Sequence, residues 1–322
     1  MLQSATIPTF GQPEDVISIT ENPNEPLTDS SVRVKLLAAP INPADINLIQ
    51  GTYGIRPELP ATAGVEGCGE VIDSLSPDFR KGDRVIFINY IGTWAEEVVC
   101  PASTLLKIPK DTPINQAAML KVNPFTAWCM LTQLASLEKG SWIIQNGGNS
   151  GVGCCVIQIA KLLGIKTINL VRREELIHPL SELGGDLNLL DNQNSIDSIR
   201  EKQPILALNA VGGDSALRLM DALGPKGLHV TYGAMSRRSL KIPNKFLIFK
   251  GIQLHGFWMT EWLKENTNDL IASAYDQLAQ WMIEDKLSQP IDTIYPLGQV
   301  QTAVTHAQED KRNGKILLSM NK

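Results

Sequence analysis

A two-domain α/β chain is expected, a partly open β-barrel followed by a doubly wound parallel sheet. Three observations carry this expectation. The apolar run Ser141-Trp-Ile-Ile-Gln-Asn146 ends in the glycine-rich turn Gly147-Gly148-Asn149-Ser150-Gly151, a helical apolar pattern then runs to Gly164, and a second strand-like run covers Lys166–Val171. From about residue 116 to about 285, strand and helix patterns alternate, which implies parallel pairing through crossovers. Before about residue 115 the chain reads as short strands broken by Pro and Gly, a pattern that favours a barrel over a helical fold.

Taken in order, Val32-Arg-Val-Lys-Leu-Leu37, Gly69-Glu-Val-Ile-Asp73, Asp83-Arg-Val-Ile-Phe-Ile88 and Ala95-Glu-Glu-Val-Val99 are the early strands. They are punctuated by Pro40, Pro43, Gly51, Pro57, Pro60, Gly64, Gly67 and Gly82. The second part adds strands at 205–211, 229–233 and 252–258, with helices around 214–222 and 269–284. The tail ends in Lys315-Ile-Leu-Leu-Ser-Met320, a strand expected to pair back with the first domain. The expected divisions are 1–115, 116–288, and 289–322 returning to the first part.

At 322 residues the chain exceeds one typical core. Its net charge of −5 and pI near 5.5 argue against a general nucleic-acid surface. No apolar run reaches the length of a membrane span. The start shows neither a secretion signal nor an Arg-rich amphipathic leader, so the default expectation is a cytoplasmic protein. Five cysteines, Cys68, Cys100, Cys129, Cys154 and Cys155, include no C-x-x-C, which supports neither a disulfide framework nor a zinc cage. Cys154 and Cys155 are expected to fill space under the helix that follows the glycine turn.

Glycines at 147, 148, 151 and 153 follow a strand and open a helix. Small residues there let backbone N–H groups reach a pyrophosphate, and the helix dipole favours its charge. The spacing is Gly-x-x-Gly-x-Gly, a departure from the full dinucleotide fingerprint; close helix–strand packing alone would also use such glycines. The next strand ends in Arg172-Arg173, where an NAD site places an acid and a 2′-phosphate site an arginine. The cofactor expected is therefore NADPH, and the expected class is an oxidoreductase.

A longer series carries a resemblance. It comprises Ile41-Asn-Pro-Ala-Asp-Ile-Asn-Leu-Ile-Gln-Gly-Thr-Tyr-Gly54, Pro57-Glu-Leu-Pro-Ala61, Gly92-Thr-Trp94, Val122-Asn-Pro-Phe-Thr-Ala-Trp128 and Gln145-Asn146. It continues through Asn149-Ser-Gly-Val-Gly153, Thr167-Ile-Asn-Leu-Val-Arg172, Val230-Thr-Tyr-Gly233, Phe246-Leu-Ile-Phe-Lys250 and Gly256-Phe-Trp258. In this order the chain resembles the medium-chain dehydrogenases/reductases, and within them the 2-enoyl thioester reductases. The resemblance implies a GroES-like barrel as the catalytic domain and a Rossmann domain for NADPH. It implies reduction of the C2=C3 double bond of trans-2-enoyl thioesters on CoA or acyl-carrier protein. Zinc members of the superfamily use a Gly-His-Glu histidine as a ligand; here the slot reads Gly64-Val65-Glu66, and His178, His229, His255 and His306 are scattered. No metal is therefore expected.

The resemblance also implies roles. Tyr53 stands where these enzymes carry a catalytic tyrosine. Gly148, Asn149, Ser150, Gly151, Val152 and Gly153 would hold the pyrophosphate, and Arg172 and Arg173 the 2′-phosphate. The family pattern there is Arg, acid, Arg; this chain has Arg172-Arg173-Glu174, so Glu174 could weaken the clamp or take a ribose hydroxyl. Asn123 and Thr126 would face the nicotinamide end, and Tyr232, Gly233, Ala234 and Met235 would border the adenosine side. Phe257, Trp258 and Met259 would lie along the nicotinamide and acyl cleft, with Trp258 equally able to be plain core, and Lys315 near the cofactor. Asp45 and Glu66 read as turn-capping or ion-paired acids, and Trp94 and Trp128 as packing between domains. Arg237, Arg238, Lys241 and Lys245 read either as a solvated loop or as partners of a phosphopantetheine arm. A homodimer is expected, paired through the late strand at 252–258. Two other functions share these features: a zinc-free NADPH quinone oxidoreductase and a non-catalytic NADPH-binding protein.

Overall fold

A computed structural model describes residues 1–310, 312 and 314–320. The chain folds as two compact units, Met1–Val122 with Asn268–Lys322, and Asn123–Thr267. The helix Asn268–Ile283, placed by sequence with the cofactor domain, thus groups with the first unit. There Tyr275 is fully buried and its hydroxyl donates to Lys121 O at 3.2 Å. No helix among the described residues is long and apolar enough to cross a membrane.

The first unit is built on β1 (Leu2–Ile7), β2 (Ser18–Asn22), β3 (Ser31–Pro40), β4 (Ala61–Thr62), β5 (Cys68–Ser74), β6 (Arg84–Phe87), β7 (Glu97–Pro101) and β8 (Leu105–Lys107). β2-β1-β4 make one small sheet. The second unit supplies β9 (Trp142–Asn146), β10 (Lys166–Val171), β11 (Leu187–Leu190), β12 (Leu206–Asn209), β13 (Leu228–Thr231) and β14 (Gln253–Gly256). The tail returns β15 (Ile291–Pro296) and β16 (Lys315–Ser319) to the first unit. Its larger sheet runs β15-β16-β3-β5-β6-β8, with β7 also on β3. β16 pairs antiparallel with β3, Leu318 opposite Ala39, as the tail's strand pattern anticipates. Alternate residues of β3 face a core that holds Val32, Val34, Leu36, Phe87 and Trp94. Trp94 is fully buried in that core and its indole N–H donates to Pro40 O at 3.3 Å. It is an interior residue of the first unit, which corrects the expectation that it packs between domains.

The second unit is a six-stranded sheet of order β11-β10-β9-β12-β13-β14, every neighbouring pair parallel. In chain order from β9 this is 3-2-1-4-5-6, the doubly wound arrangement, whose crevice opens where the order reverses between β9 and β12. β10 and β12 are almost entirely buried and largely apolar, as strands covered on both faces must be. The helix Gly151–Leu163 follows β9 and is closed by Gly164 at φ 74°, whose N–H bonds Ala160 O and Lys161 O. Cys154 and Cys155 are buried on the inner face of this helix, as expected.

Candidate functional site

β9 ends in Asn146, and the chain turns at Gly147 with φ 60°, a region that favours glycine. Ser150 caps the following helix, its Oγ accepting from Gly153 N at 3.1 Å. The N–H groups of Gly151 and Val152 occupy the first turn and have no intrahelical acceptor. At Gly153 a Cβ would lie 2.6 Å from both Gly147 O and Gly148 O. The glycine therefore lets the helix start sit directly against the turn. With the helix dipole, these features fit an anion such as a pyrophosphate.

A buried polar network braces the strand ends around this turn. Asn146 Nδ2 donates to Asn209 Oδ1 at 2.9 Å and to Ser215 Oγ at 2.8 Å, while Ala210 N donates to Asn146 Oδ1 at 2.8 Å. Ser215 Oγ donates to Asp191 Oδ2 at 2.5 Å, and Arg218 Nε to Asp191 Oδ1 at 2.6 Å. Asn146 thus ties β9 to β12 across the reversal of strand order. Sequence reasoning missed this function; its signal was an amide at the end of each of two apolar strands, Asn146 and Asn209.

Arg172 is exposed just beyond β10 and Arg173 is half-buried. Arg173 Nε pairs with Glu175 Oε1 at 3.1 Å. The acid paired with Arg173 is thus Glu175, where the sequence pointed to Glu174. Residue 175 comes within reach because 174–176 form a single 3₁₀ turn. Tyr232, Gly233, Ala234 and Met235 follow β13. Burial pushes the Tyr232 phenol up, Gly233 packs with a would-be Cβ 2.9 Å from Ala210 O, and Met235 is 54% exposed. Phe257 is buried after β14, and Trp258 and Met259 begin the helix Met259–Glu265. Asn123 and Thr126 are buried on the helix Asn123–Thr132. Phe125 and Trp128 on that helix stack at 5.9 Å, and the Trp262 ring meets Phe125 edge-on at 5.4 Å.

In the first unit, Tyr53 lies just past the helix Pro43–Ile49, its N–H donating to Asn47 O at 3.2 Å and its ring packed on the core. Near the start of that helix is a buried charge cluster. Asp45 accepts from Asn42 N at 2.7 Å and Val65 N at 2.8 Å, and Glu66 accepts from Asn42 Nδ2 at 2.6 Å and Val122 N at 2.9 Å. Lys121 Nζ donates to Val65 O at 2.6 Å, and Lys315 Nζ donates to Asn42 Oδ1. Asp45 completes the capping box of that helix, as its sequence setting suggests, and Glu66 accepts hydrogen bonds from two segments beside it. Burial lifts the Asp45 carboxyl to about 7 and raises Glu66, while burial lowers Lys121 to about 8. Lys315, expected near the cofactor, has its ammonium in this cluster.

The residues here do not fit a zinc ion. Val65 occupies the histidine slot, the neighbouring carboxylate oxygens are taken by N–H donors, and two ammoniums stand beside them. Among the described residues no three His, Cys, Asp or Glu side chains are grouped to hold a metal.

The model of the alcohol dehydrogenase GroES-like domain matches residues 28–110, and that of the zinc-binding dehydrogenases matches residues 151–276. Mitochondrial enoyl-[acyl-carrier-protein] reductase of Rattus norvegicus is 39% identical over 96% of this chain and 86% of its own length. That of Xenopus tropicalis is 40% identical over 96% and 93%. Among solved structures, the complex of Etr1p with NADP and crotonyl-CoA superposes with a TM-score of 0.89 at 32% identity, covering 99% of both chains. The Etr1p/Etr2p heterodimer of Candida tropicalis gives 0.90 at 31%, again over 99% of both. A putative NADPH:quinone reductase of Bacillus thuringiensis gives 0.92 at 25%, over 99% of both. The cytoplasmic expectation is corrected by the enoyl reductase relatives, which are mitochondrial enzymes.

Proposed function

Because the chain belongs to the 2-enoyl thioester reductase branch of the medium-chain dehydrogenases/reductases, we propose that it reduces trans-2-enoyl thioesters with NADPH, using Tyr53 as its acid. Bound NADPH supplies a hydride to C3 of the substrate. Charge then grows on the thioester oxygen and C2. A phenol hydroxyl is both a hydrogen-bond donor and a source of a proton. Tyr53 can therefore donate a hydrogen bond to that oxygen as charge develops, or deliver its proton to C2, directly or through water. The cofactor is held by the turn 148–153 at its pyrophosphate and by Arg172 and Arg173 at its 2′-phosphate, where guanidinium forks match phosphate oxygens. Asn123, Thr126, Phe257, Trp258 and Met259 serve the nicotinamide end, Tyr232, Gly233, Ala234 and Met235 the adenosine side, and Lys315 meets the cofactor from the tail strand.

Tyr53 in its Gly-Thr-Tyr-Gly setting is the observation that carries this reading over quinone reduction, the activity named for one structural neighbour. NADPH oxidation measured with crotonyl-CoA beside a benzoquinone tests it: turnover of the quinone alone would overturn the thioester assignment. The active form proposed is a homodimer located, like the relatives, in the mitochondrion. All four residues of β14 are exposed, β14 is the last strand of its sheet, and Leu247, Ile248 and Phe249 just before it are exposed at 41%, 68% and 85%. An open strand edge beside apolar side chains favours pairing with a second copy.

A further inference from the structure

Between Asp221 and Glu261 the chain has no acidic residue and six basic ones, Lys226, Arg237, Arg238, Lys241, Lys245 and Lys250. In a chain with 34 acidic and 29 basic residues, such a run stands against the overall composition. The structure separates the six. Lys250 caps the C-terminus of the helix Gly213–Ala222, its Nζ donating to Met220 O at 3.1 Å and Asp221 O at 2.7 Å. Lys226 sits in the turn that follows this helix. Arg237, Arg238, Lys241 and Lys245 come after β13 in one exposed stretch. None of these four makes an ion pair with an acid among the described residues.

The backbone beneath the two arginines is fixed. Met235 N donates to Ala210 O at 3.0 Å, Ser236 N to Val211 O at 2.9 Å, and Gly213 N to Arg238 O at 3.3 Å. Ser236 Oγ donates to Val211 O at 2.7 Å and accepts from Arg238 N at 3.2 Å. Arg237 sits at φ 55°, a left-handed conformation that surrounding structure must enforce for a residue with a side chain. At Gly212 a Cβ would meet Arg238 O at 2.7 Å, so this close approach depends on the glycine. These bonds hold the stretch to the turn after β12, at the C-terminal edge of the parallel sheet. The glycine turn after β9 lies along the same edge.

We propose that Arg237, Arg238, Lys241 and Lys245 dock the acidic face of an acyl-carrier protein whose phosphopantetheine arm presents the enoyl group. The inference rests on the thioester-reductase reading. The arm is joined to its carrier through a phosphodiester, a permanent anion, and four cations with no acidic partner among the described residues favour an acidic protein surface around it. Charge complementarity of this kind speeds encounter and discourages neutral or basic competitors. No internal ion pair has to break when the partner arrives, and the ordered backbone lowers the cost of fixing the two arginines.

The test compares wild type with Arg237→Glu plus Lys241→Glu, and with the charge-conserving Arg237→Lys plus Lys241→Arg. Each is assayed on crotonyl thioesters of an acyl-carrier protein and of uncharged N-acetylcysteamine. The charge-reversed enzyme should lose roughly tenfold or more in kcat/KM on the carrier substrate, together with its salt dependence, and stay within about twofold on N-acetylcysteamine. The charge-conserving enzyme should behave as wild type. Equal losses on both substrates, or none on the carrier, would overturn the docking site. So would a raised KM for NADPH, which would assign the stretch to the cofactor, or a fall to monomer mass, which would assign it to a second copy. Loss of binding to anionic phospholipid vesicles with carrier kinetics intact would assign it to a lipid surface. A wild-type enzyme that reduces neither thioester would remove the reaction itself, a failure distinguishable from failure of the docking site alone.

Discussion

At Tyr53, replacing the phenol by phenylalanine keeps the ring that packs on the core and removes only the hydroxyl. Folding and NADPH binding should survive. The loss should fall in kcat on crotonyl-CoA, by about a hundredfold or more, because the hydrogen bond strengthens in the transition state. Near-normal kcat in Tyr53→Phe would remove Tyr53 from the mechanism. Arg172→Ala plus Arg173→Ala should cost roughly 1.5–3 kcal/mol of NADPH binding, about ten- to a hundredfold, while NADH binding changes little. An unchanged preference between the two cofactors would refute the clamp. Both arginines were legible in the sequence because they directly follow an apolar strand. The pairing of Arg173 with Glu175 was not legible, since it depends on how one short turn folds back.

Among elements, the glycine turn was the most legible, and Gly153 shows what it is for. Alanine would normally stabilise a helix position by about 1 kcal/mol over glycine. Here its Cβ would lie 2.6 Å from two backbone carbonyl oxygens that cannot rotate away. Gly153→Ala should therefore lower the melting temperature and weaken NADPH binding at least ~tenfold by displacing the turn from the helix start, measured by thermal scanning and fluorescence titration. β13 carries a second consequence. His229 is buried there with Nε2 unpartnered among the described residues, and burial holds its pKa down at about 4. An unfolded histidine takes its proton near pH 6.5, so the unfolded chain binds more protons between about pH 6.5 and 4. Stability supplied by the neutral ring is complete above pH 6.5 and declines as pH falls through that window, by up to about 3 kcal/mol. His229→Phe should flatten this part of the urea-midpoint profile against pH. An unchanged slope would show that other groups produce it.

For the whole molecule, light scattering at micromolar concentration should give a dimer mass, and Leu254→Lys, a charge on the exposed β14 edge, should shift it toward monomer. A wild-type monomer would refute pairing through that edge. Amino-acid order alone dictated the fold class, because period-two and helical apolar patterns record which faces are buried, and glycines mark where backbone must approach backbone. It also dictated the order of strands and helices from Trp142 to Val171 and the return of the tail strand. Which distant polar residues meet was settled by the folded chain. The helix start Asn42–Asp45, Glu66, Lys121 and Lys315 come from segments far apart in the chain, yet they meet in a single buried polar cluster. The same holds for Asn146, Asp191, Asn209 and Ser215 at the strand ends. Local sequence reports the burial of a residue through its neighbours' periodicity, but it carries no record of which partner satisfies a buried polar atom, because that partner is chosen by packing in three dimensions.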